Sequence, residues 1–301
     1  MKANPTRIYD NKSIVDPSTV NLVLYHDKCP DGFGSAFAAW KKLGSQATYI
    51  GCDHGSKTYP DVTGACVVIL DFSFKEAVLL EMIAKAKQLM VIDHHDSAEK
   101  ELKSIPDQNK IFDMNQSGAT MAWDFFHRNV LPPQFLLYVE DRDLWRWRLK
   151  HSREVCAGLD TLPQTFEQWN QLGTVESIKQ LRAKGESVLV YRQILVDSIV
   201  SKSAQREFGG FLCRVVNTCG GSIVSDVGNT LLSKYNTPVA LMWYLDYPSQ
   251  QYKISLRSHP DVDSSALAKR FGGGGHKSSS AFTLSPSSSG WDEFMSKIIN
   301  I

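Results

Sequence analysis

Nowhere does this chain approach the ~20 consecutive apolar residues that a bilayer-spanning helix requires. Its first twenty residues run through Lys2, Pro5, Arg7, Asp10, Lys12 and Asp16 instead of the apolar core of a secretory signal. Neither a membrane role nor export is therefore expected. An excess of charge of one sign is also missing. Thirty-three basic residues balance 32 acidic ones for a formal net charge of +1, so no global field draws the protein onto long nucleic acid, and any affinity for phosphate must be local. The six cysteines, Cys29, Cys52, Cys66, Cys156, Cys213 and Cys219, are scattered and lack the close pairs of a zinc knuckle or dithiol redox centre. They read as reduced thiols, and the expected location is cytoplasmic. No internal repeat is visible.

What is present is ordinary globular material: 301 residues, 43% hydrophobic and 22% charged, enough for two domains that need no disulfide staples. Val20 to Tyr25, Ala65 to Leu70 and Leu89 to Ile92 are short apolar runs rich in β-branched residues, as in the buried strands of a parallel sheet. Between them, Phe33 to Leu43 carries apolar residues at helical spacing and ends at Gly44. Phe74 to Gln88 reads as a second helix, with Ser73 as its cap and Glu76 completing a capping box. Further helices are predicted over Ser117 to Val130 and Phe135 to Glu140.

The alternation predicts an α/β fold: a doubly wound, mostly parallel sheet over residues 1–174, a helical linker over 175–203, and a smaller α+β domain over 204–301. In the last, Phe211 to Val216, Val239 to Leu245 and Tyr252 to Leu256 read as strands. Ser264 to Phe271 and Trp291 to Ile299 read as helices.

Each of the three N-terminal strands ends in a residue able to bind metal. Tyr25 is followed by His26, Leu70 by Asp71, and Ile92 by Asp93, His94 and His95. Any one of these could be an ordinary turn residue. In a parallel sheet, however, the carboxyl ends of neighbouring strands share one edge, where ligands bind. Carboxylates mixed with imidazoles suit manganese, with magnesium, iron or zinc as alternatives. A bridging carboxylate can hold two ions about 3.5 to 4 Å apart, and such a pair acidifies water for attack on a phosphoryl group.

Asp93-His94-His95 after an apolar strand, preceded by His26 and by Pro30-Asp31-Gly32, resembles the DHH phosphoesterase superfamily. The resemblance implies a two-ion, manganese-dependent hydrolytic centre with His26, Asp31, Asp71, His94 and Asp141 as ligands and Asp71 as the bridge. Asp141 is matched to the family's aspartate that precedes an aromatic residue by four, here Trp145, with Asp143 as the alternative. The family's first motif has two aspartates separated by one residue. Here Cys29 stands where the first would fall, and Asp27 is the substitute from a shifted position. Asp93 and His95 are assigned to support or catalysis: His95 either orients phosphate or donates a proton to the leaving oxygen, or it satisfies a neighbouring carboxylate.

Gly272-Gly273-Gly274-Gly275-His276 resembles the signature of the DHHA1 domain that follows the DHH domain in many members. The resemblance makes Gly273, Gly274, Gly275 and His276 substrate-binding, joined by Arg257, whose guanidinium can grip phosphate with two donors. Trp145, Arg146, Trp147 and Arg148 interleave aromatic and basic groups, which suits either base stacking or local packing. The implied activity, as in nanoRNases, is hydrolysis of short linear oligonucleotides, dinucleotides such as pGpG above all, to mononucleotides. A 3',5'-bisphosphate nucleotide phosphatase, a cyclic dinucleotide phosphodiesterase and a non-catalytic nucleotide sensor are the alternatives. Long nucleic acid is not required, and homodimerisation is left open.

Overall fold

The computed structural model describes residues 15–52, 58–218, 221 and 223–299. The chain divides into two compact units, Met1–Leu189 and Val190–Ile301.

The first unit is built on five parallel strands, β1 (Leu22–His26), β2 (Thr48–Cys52), β3 (Cys66–Leu70), β4 (Gln88–Asp93) and β5 (Lys110–Phe112), in the order β2-β1-β3-β4-β5. Side chains alternate across a strand, so a sheet covered on both sides needs apolar residues at every position. Val23, Val68, Leu70, Met90 and Ile92 enter the core on one face, and Leu24, Val67, Ile69, Leu89 and Val91 the core on the other. All ten are at most 1% exposed.

The first face is covered by helices α1 (Pro30–Leu43), α4 (Gly118–Phe126) and α5 (Gln134–Asp143), which contribute Phe33, Phe37, Ala122, Phe125 and Phe135. Helix α2 (Glu76–Lys85) covers the second with Leu79 and Met82, and α3 (Asp96–Glu101) follows β4. Helices α6 (Ser152–Leu159) and α7 (Phe166–Asn170) complete the first core. Trp169 of α7 sits edge-on to Phe33, with ring centroids 4.9 Å apart, and to Phe135 at 5.6 Å.

Ser73 does not cap α2, which starts at Glu76 after Lys75 and has no side-chain cap. Residues 72–75 are irregular because Phe72 and Phe74 are both buried, their rings meeting edge-on at 5.1 Å. Burying two phenyl rings outweighs a cap worth about 1 kcal/mol.

The division between the units falls within α8 (Val175–Ser201). The second unit holds strands β6 (Ala204–Phe208), β7 (Phe211–Asn217), β8 (Val239–Asp246), β9 (Gln251–Ser258), β10 (Gly274–His276) and β11 (Ser279–Leu284). They are ordered β10-β11-β9-β8-β7-β6, antiparallel except for β7 against β8. One face packs on α10 (Ser264–Lys269), α11 (Trp291–Phe294) and the π-helical turn Met295–Ile299, through Phe208, Leu256, Leu267, Phe282 and Phe294. The other packs on α9 (Ile223–Tyr235) through Val227 and Leu231. Among the described residues, no helix is long and apolar enough to cross a membrane.

Candidate metal centre

The strand order turns about β1, with β2 to one side and β3 and β4 to the other, and the carboxyl ends at such a turn are where a doubly wound sheet binds its ligands. His26 ends β1, Asp71 directly follows β3, and Asp93 ends β4 ahead of His94 and His95. The Asp71 amide extends the ladder by donating to the Ile92 carbonyl at 3.0 Å, and its φ of 64° then turns the chain sharply out of the sheet. A left-handed conformation is uncommon for a non-glycine residue and is found where surrounding structure imposes it, often at functional sites.

Asp71 is the hub. Its Oδ2 lies 3.4 Å from His26 Nδ1, and its Oδ1 lies 3.1 Å from His94 Nε2. The same His94 nitrogen is 3.6 Å from Asp31 Oδ2 and 3.5 Å from Asp143 Oδ2. Asp31, Asp71, Asp93 and His94 are all at most 2% exposed. Asp31 accepts from the amides of Gly118 at 2.6 Å and Ala119 at 3.0 Å, so the positive N-terminal end of α4 faces this carboxylate. Gly118 permits the approach: a Cβ there would stand 2.6 Å from both Cβ and Oδ1 of Asp71.

Behind the hub, Asp93 Oδ1 accepts from the backbone of His94 at 2.7 Å and of His95 at 3.2 Å, and from His95 Nδ1 at 2.7 Å. This fixes the His95 ring with its proton on Nδ1.

Burial, and next the charges of Asp71 and Asp143, push the Asp31 carboxyl well above the usual range. Burial also raises Asp143, against the pull of His94. Burial would raise Asp71 too, but hydrogen bonds from His26 and His94 hold it well below the ordinary value. Burial opposes charge on His26, yet the bond to Asp71 prevails and lifts the imidazole to about 11. The ion-pair partners of these carboxylates among the described residues are imidazoles alone. Protonated histidines thus supply the counter-charge that divalent cations would provide. Asp93 Oδ2 and Asp143 Oδ2 are buried with no hydrogen-bond partner. Buried carboxylates crowded about imidazoles, with two oxygens that have no hydrogen-bond partner, together fit a divalent-metal centre.

Of the expected ligands, His26, Asp31, Asp71 and His94 come together. Asp141 does not join them: its two oxygens accept from the amides of Arg148 at 2.9 Å and Leu149 at 3.1 Å, and Asp143 takes the place beside His94. Asp27 lies by Lys28 at 3.6 Å and against Gly51, outside the cluster. Cys29 lies inside it, since one ligand atom each of His26, Cys29 and Asp71 falls within 4.8 Å of the others. Trp145 and Trp147 pack edge-on at 5.0 Å, Arg153 covers Trp147 at 4.2 Å, and Arg146 binds Glu140 and the Asn115 carbonyl, an arrangement of local packing.

The DHHA1 domain model matches residues 209–300. A viral protein, "Uncharacterized protein R106" of Acanthamoeba polyphaga mimivirus, is 31% identical over 295 residues, 91% of this chain and 69% of that one. Residues 209–300 are thus similar to the DHHA1 domain, and over most of its length the chain is related to that viral protein. The DHH domain of a protein assigned to a family of ribosomal proteins shares the fold, with TM-score 0.50 and 12% identity over 88% of this chain and 83% of that one. The pGpG-specific phosphodiesterase PggH of Vibrio cholerae aligns over 91% and 95% with TM-score 0.47 and 14% identity.

In the second unit the end of the glycine run enters a strand. Gly274, Gly275 and His276 pair with Ala281, Ser280 and Ser279. The Gly272 and Gly273 amides donate to the Lys269 and Ala268 carbonyls of α10, so these two amides are turned to the helix. The glycines serve a close approach: a Cβ on Gly273 would meet the Ala281 carbonyl oxygen at 2.1 Å. Arg257 on β9 donates to Ser225 Oγ at 2.7 Å and to the Leu256 carbonyl at 2.8 Å. Burial lowers its pKa to about 10, so it stays charged at neutral pH, and no carboxylate pairs with it among the described residues. Gly228 of α9 makes room for it, since a Cβ there would touch Arg257 Cγ at 2.7 Å.

Proposed function

We propose that this protein is a two-metal, manganese-dependent phosphodiesterase that hydrolyses short linear oligonucleotides, dinucleotides such as pGpG in particular, to mononucleotides. The observation that carries the reading is the split of Asp71, with Oδ2 toward His26 and Oδ1 toward His94, whose Nε2 also neighbours Asp31 and Asp143. A carboxylate shared by two donor sets is what a two-ion centre needs.

His26 and Asp71 would hold one ion, and Asp31, Asp71, His94 and Asp143 the other. Bound ions would supply Lewis acidity toward the phosphoryl oxygens and acidify a water. The remaining work falls to the chain. Hydrolysis joins a water oxygen to phosphorus, breaks the P–O ester bond, and leaves an oxygen that must gain a proton. His95, fixed by Asp93 through Nδ1, is suited to hold that proton on Nε2. Asp31, anchored on two α4 amides, keeps one carboxylate in place without side-chain freedom. In the DHHA1 unit, Arg257 is a charge with hydrogen-bond donors and no carboxylate, suited to a terminal phosphate, with His276 on the glycine strand as a second donor. A net charge of +1 favours a short substrate gripped at specific phosphates over a long strand held by a broad field.

The test is product analysis with purified protein and manganese on 5'-phosphorylated dinucleotides, longer oligomers, cyclic dinucleotides and 3',5'-bisphosphorylated adenosine. Fastest conversion of the dinucleotides to mononucleotides is expected. Preferential release of phosphate from the bisphosphate, faster opening of the cyclic substrates, or inactivity on all of them would overturn the proposed substrate class.

A further inference from the structure

We propose that Cys29 is itself a metal ligand, making one half of the centre a nitrogen, sulfur and oxygen site, His26–Cys29–Asp71, that prefers a thiophilic divalent ion such as zinc to magnesium or manganese. The inference rests on the metal-centre reading above and adds a statement about which ion each half takes.

Three observations place the sulfur there. Ligand atoms of His26, Cys29 and Asp71 lie within 4.8 Å of one another, the span of a shared coordination sphere. Cys29 is the residue that caps α1, with extended backbone at φ −115° and ψ 130°, yet its side chain makes no capping hydrogen bond, so the sulfur is not committed to the helix. The other described cysteines behave differently: Cys52, Cys66, Cys156 and Cys213 each have the sulfur against a neutral oxygen, of Ile50, Gln88, Tyr138 and Phe208 respectively. Cys29 alone among the described cysteines shares its surroundings with an imidazole and a carboxylate.

The chemistry follows from ligand softness. Replacing a carboxylate by a thiolate in a site completed by imidazole moves its preference away from hard ions and toward zinc, cobalt(II) or iron(II). The second half, with Asp31, Asp71, His94 and Asp143, keeps three carboxylates and remains suited to manganese. On binding, the Cys29 S–H bond breaks, its proton goes to solvent, a sulfur–metal bond forms, and one water leaves the ion. No electron is transferred.

Cobalt(II) reports the bond directly, because thiolate ligation produces a near-ultraviolet sulfur-to-cobalt charge-transfer band that oxygen and nitrogen ligands do not. Metal-free protein is titrated with cobalt while absorbance and bound ion are both measured. The wild type is expected to develop the band, saturating at one ion per chain. Cys29→Ser and Cys29→Asp are expected to bind cobalt without the band, and Cys66→Ser to keep it. Cys29→Asp, which restores a carboxylate, is expected to shift the zinc-over-manganese preference by about tenfold or more toward manganese. Cobalt bound by the wild type with no band, or a band that survives in Cys29→Ser, would overturn the sulfur ligand and leave the metal centre standing. Failure of the wild type to bind cobalt, zinc or manganese would overturn both.

Discussion

Gly118→Ala adds a single methyl group at a residue with no side chain of its own to offer the chemistry, and it should nevertheless disable the centre. The new Cβ would lie 2.6 Å from Cβ and Oδ1 of Asp71, whereas ordinary van der Waals contact begins near 3.4 Å, so the two groups must separate by about 0.8 Å. Neither side has slack. Asp71 sits at a φ of 64° with its amide tied to Ile92, and the Gly118 amide is held by Asp31 at 2.6 Å. Overpacking of this kind costs about 1–3 kcal/mol of stability. A displacement of nearly 1 Å at the carboxylate proposed to bridge the ions should weaken manganese binding by about 10- to 100-fold, in line with the effect of disturbing the groups that orient metal ligands. Calorimetric titration of the metal-free protein with manganese measures the second quantity, and urea unfolding the first. Manganese affinity within twofold of the wild type, with unchanged unfolding, would refute the packing argument and Asp71's role as the shared ligand.

Replacing Arg257 with Gln should remove a charged hydrogen-bond donor worth about 2 kcal/mol, seen as a rise of roughly thirtyfold in KM for a 5'-phosphorylated dinucleotide at unchanged manganese content. Trp169→Ala should cost about 3–5 kcal/mol in chemical denaturation, because a fully buried indole at 1% exposure is lost from among Phe33, Phe37 and Phe135. The metal-free protein should lose stability as pH rises between 6.5 and about 11, since His26 holds its proton in the folded state through a range where the unfolded chain has released it. Melting temperatures taken at pH 7 and pH 9 should show the fall, and Asp71→Asn should flatten it.

Much of the centre could be read from the sequence because its strands are buried on both faces. A fully apolar run such as Cys66–Leu70 that stops abruptly at Asp71 announces both the strand and the residue at its end. Asp141 and Asp143 could not be separated in this way. Each precedes a tryptophan by four, and two positions on a helix differ by about 200° in direction, so the choice depends on where α5 is anchored. The amides of Arg148 and Leu149, presented by a loop whose Trp145 and Trp147 have left-handed backbones, claim Asp141 and leave Asp143 to the cluster. The short edge strands β2 and β5 gave little signal, because Thr48–Cys52 is largely unburied and Lys110–Phe112 is only three residues long. The glycine run lacks any strand propensity, and β10 forms because the missing side chains let it lie close against β11.

The central claim is that Asp71 joins two ions in a centre that hydrolyses phosphodiesters. The direct measurement is mononucleotide release from a 5'-phosphorylated dinucleotide by the chelator-treated wild type, by the same protein resupplied with manganese, and by Asp71→Asn with manganese. The account predicts turnover only in the second case; equal turnover in the chelated protein, or an Asp71→Asn variant as fast as the resupplied wild type, would contradict it.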